Sequence, residues 1–143
     1  MDIKRIMTAS PVTVAMDDPL SRIKEIFDRR GFHHLLVTED RKLVGIISDR
    51  DLLKALSPHL GTASETTRDL ASLNRRAHQI MSRNVITLRD DAGIHDAIQT
   101  FNQHRISCIP ILDADNCPVG IVSWRDVLKA IQPNPARDEA EPD

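Results

Sequence analysis

Val44-Gly45-Ile46-Ile47-Ser48-Asp49-Arg50-Asp51-Leu52-Leu53-Lys54-Ala55 returns later in the chain as Val119-Gly120-Ile121-Val122-Ser123-Trp124-Arg125-Asp126-Val127-Leu128-Lys129-Ala130. Nine of the twelve pairs are identical, at an offset of 75. Upstream the match continues at an offset of 74, pairing Ile6-Met7-Thr8 with Ile80-Met81-Ser82, Thr13 with Thr87, Asp17 with Asp91 and Phe27 with Phe101. Self-similarity at a fixed period marks one structural unit used twice. The one-residue change of offset belongs in a turn, where insertions are tolerated.

Each copy has the same grammar. A short β-type run, Val12-Thr13-Val14 or Val85-Ile86-Thr87-Leu88, precedes acidic residues that read as a helix start, with Asp18 as N-cap and Pro19 as first helical residue. Leu20, Ile23, Ile26 and Phe27, and in the second copy Ile94, Ala97, Ile98 and Phe101, recur at helical spacing. The first helix stops at Arg29-Arg30-Gly31, basic residues and then a glycine free to take positive φ. A hairpin follows, Leu35–Thr38 and Leu43–Ile47 around Glu39–Lys42, repeated as Ile109–Leu112 and Val119–Val122 around Asp113–Pro118. A short helix carrying Leu52, Leu53 and Leu56, or Val127, Leu128 and Ile131, closes the unit.

The expected class is therefore mixed α/β (α+β), with two β-α-β-β-α repeats at residues 1–57 and 77–131. A connector at 58–76 turns helical from about Thr67. Residues 132–143, with three prolines and little that is apolar, are expected to form a disordered acidic tail.

Composition narrows the function. Of 143 residues 41% are hydrophobic and 28% charged, with a formal net charge of -2, so a soluble globular chain without a basic nucleic-acid footprint is expected. No apolar run approaches the roughly 18 residues of a membrane span, and Met1–Arg5 lacks the apolar stretch of a signal peptide. A cytosolic protein, with no nucleic-acid or membrane partner, is the expectation. Cys108 and Cys117 form no C-x-x-C motif, the six histidines show no metal-ligand spacing, and neither Ser48 nor Ser123 sits in a nucleophile elbow. Catalysis, a required cofactor and a metal site are not expected.

The densest identity falls where a strand ends and a helix begins, a place where free backbone N–H groups and the positive end of the helix dipole favour anionic ligands. Ser48 with Asp51, and Ser123 with Asp126, set a hydroxyl and a carboxylate three residues apart. The same S-x-x-D spacing is a capping box. A carboxylate has more acceptor sites than one cap uses, so both roles can coexist.

The ordered set, an Ile-Met-[Thr/Ser] tripeptide, a β-α-β-β-α unit and a closing G-I-[IV]-S-x-R-D-[LV]-L-K-A, resembles a tandem CBS-domain pair, or Bateman module, from Ile3 to Ile131. The resemblance implies two repeats packed as a pseudo-two-fold pair with up to two clefts, and pairing of such modules into homodimers. It implies binding of an adenosyl compound (AMP, ADP, ATP, S-adenosylmethionine or a dinucleotide) without reaction, signalled to an effector protein in trans. Carried over by position, Asp51 and Asp126 would hold ribose hydroxyls, and Ser48 and Ser123 would contact ribose or phosphate. Backbone and apolar atoms around Val12-Thr13 and Val85-Ile86-Thr87, with the strands at Leu35-Leu36 and Ile109-Pro110, would enclose adenine. His33 and His34 stand where basic residues often face phosphate in this family. The second repeat has Ser107 and Cys108 there, with Arg105 slightly upstream, an asymmetry that implies one better site or ligands with few phosphates. Arg50 and Arg125 read either as phosphate contacts or as surface cations. The competing function is a constitutive dimeric scaffold whose clefts stay empty.

Overall fold

The computed structural model describes residues 1–132, so the expected disordered tail lies, except for Gln132, outside the described residues. After a 3-10 turn at Ile3–Arg5 the first half contains β1 (Thr8–Ala9), β2 (Thr13–Ala15), α1 (Leu20–Arg30), β3 (His34–Glu39), β4 (Lys42–Ser48) and α2 (Asp49–Ala55). The short helices α3 (Thr67–Ala71) and α4 (Ala77–Ile80) follow. The second half contains β5 (Leu88–Arg89), α5 (Ile94–Gln103), β6 (Cys108–Leu112), β7 (Pro118–Ser123) and α6 (Trp124–Ile131).

The β-α-β-β-α unit is present twice. In each, the first strand runs parallel to the second across the helical crossover and the last two form an antiparallel hairpin: β2-β3-β4 in one sheet and β5-β6-β7 in the other. The offset changes at the hairpin turn. The first hairpin turns on Asp40 and Arg41, both at positive φ as a two-residue turn of this kind requires, while the second uses a longer loop held by Asp113, whose Oδ1 accepts the Asp115 and Cys117 N–H groups. β5 starts at Leu88 opposite Ile111, later than the matching start of β2, and one step back in that register Thr87 would face Pro110, which has no N–H to offer.

Local signals hold with one correction. Gly31 ends α1 in the left-handed conformation, φ 71°, its N–H donating to the Phe27 carbonyl. The N-cap of α1 is Pro19 rather than Asp18. Asp18 instead accepts the Ala15 N–H at 2.7 Å, and the free Leu20 N–H is satisfied by the Arg75 carbonyl of the connector at 2.8 Å. A tertiary hydrogen bond has replaced the side-chain cap.

The two repeats exchange their leading segments. β1 pairs with β7 of the second half, Thr8 opposite Ile121 and Ala9 opposite Gly120, while Ser82 bridges to Ile46 of β4 through bonds of 2.9 and 3.0 Å. Ile3, fully buried, belongs to the second core with Ile94, Ala97, Ile109, Ile111, Val122 and Val127. Reciprocally, Ala77 and Met81 belong to the first core with Val14, Leu20, Ile23, Phe27, Leu35, Val37, Ile47 and Leu52. Burying an isoleucine contributes about 1.5–3 kcal/mol, so each leading segment is fastened to the opposite repeat. Ser10, at φ 53°, is where the chain leaves β7 to return to its own sheet. The seam between the repeats is thus laced from both sides, and α2 and α6 start beside it.

Candidate functional site

Both S-x-x-D motifs are complete capping boxes. In the first, the Ser48 N–H donates to Asp51 Oδ2 at 2.9 Å and the Asp51 N–H to Ser48 Oγ at 3.0 Å. In the second, the Ser123 N–H and Oγ donate to Asp126 Oδ2 at 2.8 and 3.0 Å, and the Asp126 N–H donates to Ser123 Oγ at 3.2 Å. The caps use Oδ2 of each aspartate, and Oδ1 takes no hydrogen bond among the described residues. Capping therefore leaves each carboxylate at least half its acceptor capacity.

A cavity of about 1010 Å³ opens at the seam. From the first repeat it is lined by Ser48, Asp49, Arg50 and Asp51, with His33 and His34. The exchanged segment Ser82, Asn84, Val85 and Ile86 forms another wall, and Arg105, Ser107, Cys108, Ser123, Trp124 and Arg125 complete it. The volume is at the upper end of the range for small-molecule sites. Backbone bonds fix the rim symmetrically: the Asp49 N–H donates to the His33 carbonyl at 2.9 Å, and the equivalent Trp124 N–H to the Ser107 carbonyl at 3.3 Å.

The side chains at those equivalent places differ. Asp49 Oδ2 lies 2.9 Å from His33 Nδ1, and that hydrogen bond holds the Asp49 carboxyl below the usual carboxylate range. Trp124, 48% exposed, presents a bare indole instead. His34 reaches across the seam, its Nε2 3.3 Å from Ser107 Oγ. Burial pushes the His34 imidazole below the usual histidine value; Asp49 and Asp51 act against that shift and His33 adds to it. Burial also pushes the Cys108 thiol up to about 12, so it is no thiolate nucleophile at neutral pH.

The lowered His34 pKa has a defined sign. An unfolded histidine takes up a proton near pH 6.5 while the folded one resists, so the folded chain loses stability as pH falls below about 6.5 and gains nothing above it. We expect the melting temperature of the ligand-free protein to fall from pH 6.5 to 5.5, and His34→Gln to flatten that slope. A slope unchanged by the substitution would assign it to other groups.

Of the residues singled out in the sequence, the cavity gathers His33, His34, Ser48, Arg50, Asp51, Val85, Ser107, Cys108, Ser123 and Arg125. It does not gather the rest. Leu35, Ile109 and Pro110 are sealed, with less than 2% exposure, and line neither of the two cavities described. Thr13 is exposed on β2, and Thr87 lines a smaller cavity of about 390 Å³ with Lys42 and Arg83. Asp126 lines neither cavity. Asn84, Ser82 and Asp49 were missed as wall residues. Ser82 carried a signal, the repeated Ile-Met-[Thr/Ser] tripeptide, but nothing in the sequence says that this segment crosses to the other repeat.

A CBS-domain family model matches residues 3–58 and 77–133, and the chain belongs to the CBS-domain family as a pair of such domains. It is similar to a CBS domain-containing protein of Dictyostelium discoideum, 29% identical over 139 residues, covering 93% of this chain and 95% of that one. It is also similar to the L-aspartate semialdehyde sulfurtransferase of Methanocaldococcus jannaschii, 30% identical over 128 residues, covering 89% of this chain but 22% of that protein. The chain spans 22% to 46% of the length of the first three curated relatives it matches. Among solved structures, the CBS domain pair of protein MJ0100, crystallised with 5′-methylthioadenosine and S-adenosyl-L-methionine, superposes with a TM-score of 0.73 at 27% identity, over 91% of this chain and 94% of that one. Among the described residues no helix is long and apolar enough to cross a membrane.

Proposed function

We propose that the chain is a regulatory module that binds an adenosyl ligand at the seam between its repeats and passes occupancy on as a change of shape or pairing, without reaction on the ligand. One observation carries this reading: Asp51 lines a cavity large enough for a nucleotide and keeps Oδ1 free after capping Ser48. Two neighbouring ribose hydroxyls are donors that such a carboxylate accepts. Ser48, Val85 and the His33–His34 pair flank it, and the MJ0100 domain pair with its two adenosyl ligands supports the class. The ligand is AMP, ADP, ATP or S-adenosylmethionine.

The output acts in trans, on an effector protein in the cytoplasm, and the module works as a homodimer. Leu53 and its repeat equivalent Leu128 are 73% and 51% exposed, and Ile131 on the same helix as Leu128 is 56% exposed. Apolar side chains left uncovered at equivalent places suit a two-fold surface. Sedimentation of the purified chain checks this: a dimer that Leu53→Glu with Leu128→Glu converts to monomer is the expected result.

The second reading, a constitutive scaffold, is favoured by the completeness of both capping boxes, which gives the aspartates a structural role without any ligand. Thermal shift with adenosyl ligands separates the two, since a ligand selective for the folded chain raises its melting temperature. A rise that saturates with ligand supports the sensor; no rise at millimolar ligand supports the scaffold.

A further inference from the structure

We infer that the seam cavity selects a nucleoside polyphosphate over a monophosphate or a sulfonium nucleoside, and takes one such ligand per chain, with its ribose on Asp51 and its phosphates on Arg105, Arg50 and Arg125. This rests on the proposed adenosyl-ligand reading and names the ligand within it. Arg50, Arg105 and Arg125 all line the one cavity, and none of their guanidiniums makes an ion pair or a hydrogen bond among the described residues, although the chain as a whole is acidic. The ion pairs that do form among those residues use Arg22, Lys24, Arg29 and His33. Two acidic residues line the same cavity: Asp49, bonded to His33, and Asp51, bonded to the Ser48 N–H. His34 and His33 add no fixed negative charge.

Guanidiniums without partners around a shared cavity favour a ligand with several phosphate oxygens, because each charge-assisted bond is roughly twice as strong as a neutral one. A sulfonium brings positive charge to the same place. The phosphates would lie across the seam, since Arg50 comes from the first repeat and Arg105 and Arg125 from the second. That crossing also sets the number. The second motif gives Ser123 and Arg125 to the same cavity that Asp51 lines, as do Ser107 and Cys108, the equivalents of His33 and His34, whereas Asp126 lines neither of the two cavities described.

Calorimetric titration of the nucleotide-free chain with AMP, ADP, ATP and S-adenosylmethionine tests this, alongside Arg105→Gln. Arg105 is exposed and unbonded, so the variant should melt where the wild type does. We expect ATP to bind at least about tenfold tighter than AMP, S-adenosylmethionine to bind weakest, one ATP per chain, and Arg105→Gln to shrink the ATP advantage while leaving AMP little changed. AMP binding as tightly as ATP, a preference for S-adenosylmethionine, or two ATP per chain would overturn the inference while leaving the adenosyl-ligand reading standing. Binding of none of the four would overturn both.

Discussion

Asp51→Asn should weaken adenosine-nucleotide binding about tenfold to a hundredfold, the loss of hydrogen bonds to a charged acceptor, whereas Asp126→Asn should leave binding unchanged. The two aspartates make the same cap, so their replacement has the same structural cost. In each variant the amide oxygen can still accept the serine N–H, and what is lost is the negative charge in the first helical turn, worth about 0.3–1 kcal/mol. Only Asp51 faces the cavity with Oδ1 free. An amide placed there to keep the cap turns its NH2 toward the ligand, and NH2 cannot accept from a ribose hydroxyl. Calorimetry and melting on both variants separate the roles: similar melting shifts with unequal binding loss is the expected result. Equal loss of binding in both would mean that the second motif also holds ligand.

The second large effect is on folding. Gly45→Ala and Gly120→Ala should each destabilise the protein by about 1–3 kcal/mol, the usual cost of overfilling a packed site. A Cβ on Gly45 would sit 2.9 Å from Met81 Cγ and 3.1 Å from Met81 Cβ, and one on Gly120 would sit 2.8 Å from Met7 Cγ and 3.1 Å from the Thr8 carbonyl oxygen. A change of methionine rotamer moves Cγ and Sδ but disturbs their packing on the opposite repeat, and it leaves the 3.1 Å contacts with Met81 Cβ and the Thr8 carbonyl oxygen in place. Each glycine is the strand position over which the methionine of the opposite repeat's leading segment lies. Denaturant melts of the two variants check this, with Met81→Ala added to Gly45→Ala: the methionine truncation should cost less in that background than in the wild type. Alanine variants melting with the wild type would mean that the exchanged segments are not held as described.

Those two glycines also show how far the sequence could be read. Gly45, Gly120, Met7 and Met81 all stand out in the repeat, and the period alone identified the β-α-β-β-α unit, because alternation and helical spacing are local and survive duplication. The exchange of leading segments is not local. Ile3 has the same apolar signal whichever core it enters, and only tertiary packing places it against Ile109 and Val122. The cap at Asp18 was misassigned for the same reason, since the donor it would have served is bonded to Arg75 from a distant stretch.

The site was legible in part. S-x-x-D marked the strand-to-helix junctions, and the pair His33–His34 with Arg105 marked the rim. The sequence treated the two S-x-x-D motifs as equivalent, yet Asp51 lines the cavity and Asp126 does not. The side chains of Leu35, Ile109 and Pro110 lie in the core rather than on a cavity wall, because the middle of each of these strands is covered on both faces.

The most direct measurement is a titration of Trp124 fluorescence with ATP in the pure, nucleotide-free chain. Trp124 is the only tryptophan, there is no tyrosine, and its indole lies on the cavity wall. A saturable change with one ATP per chain, matched by a rise in melting temperature and greatly weakened in Asp51→Asn, is the predicted result. No change in either signal at millimolar ATP, AMP or S-adenosylmethionine would contradict the account and leave a scaffold whose aspartates only cap helices.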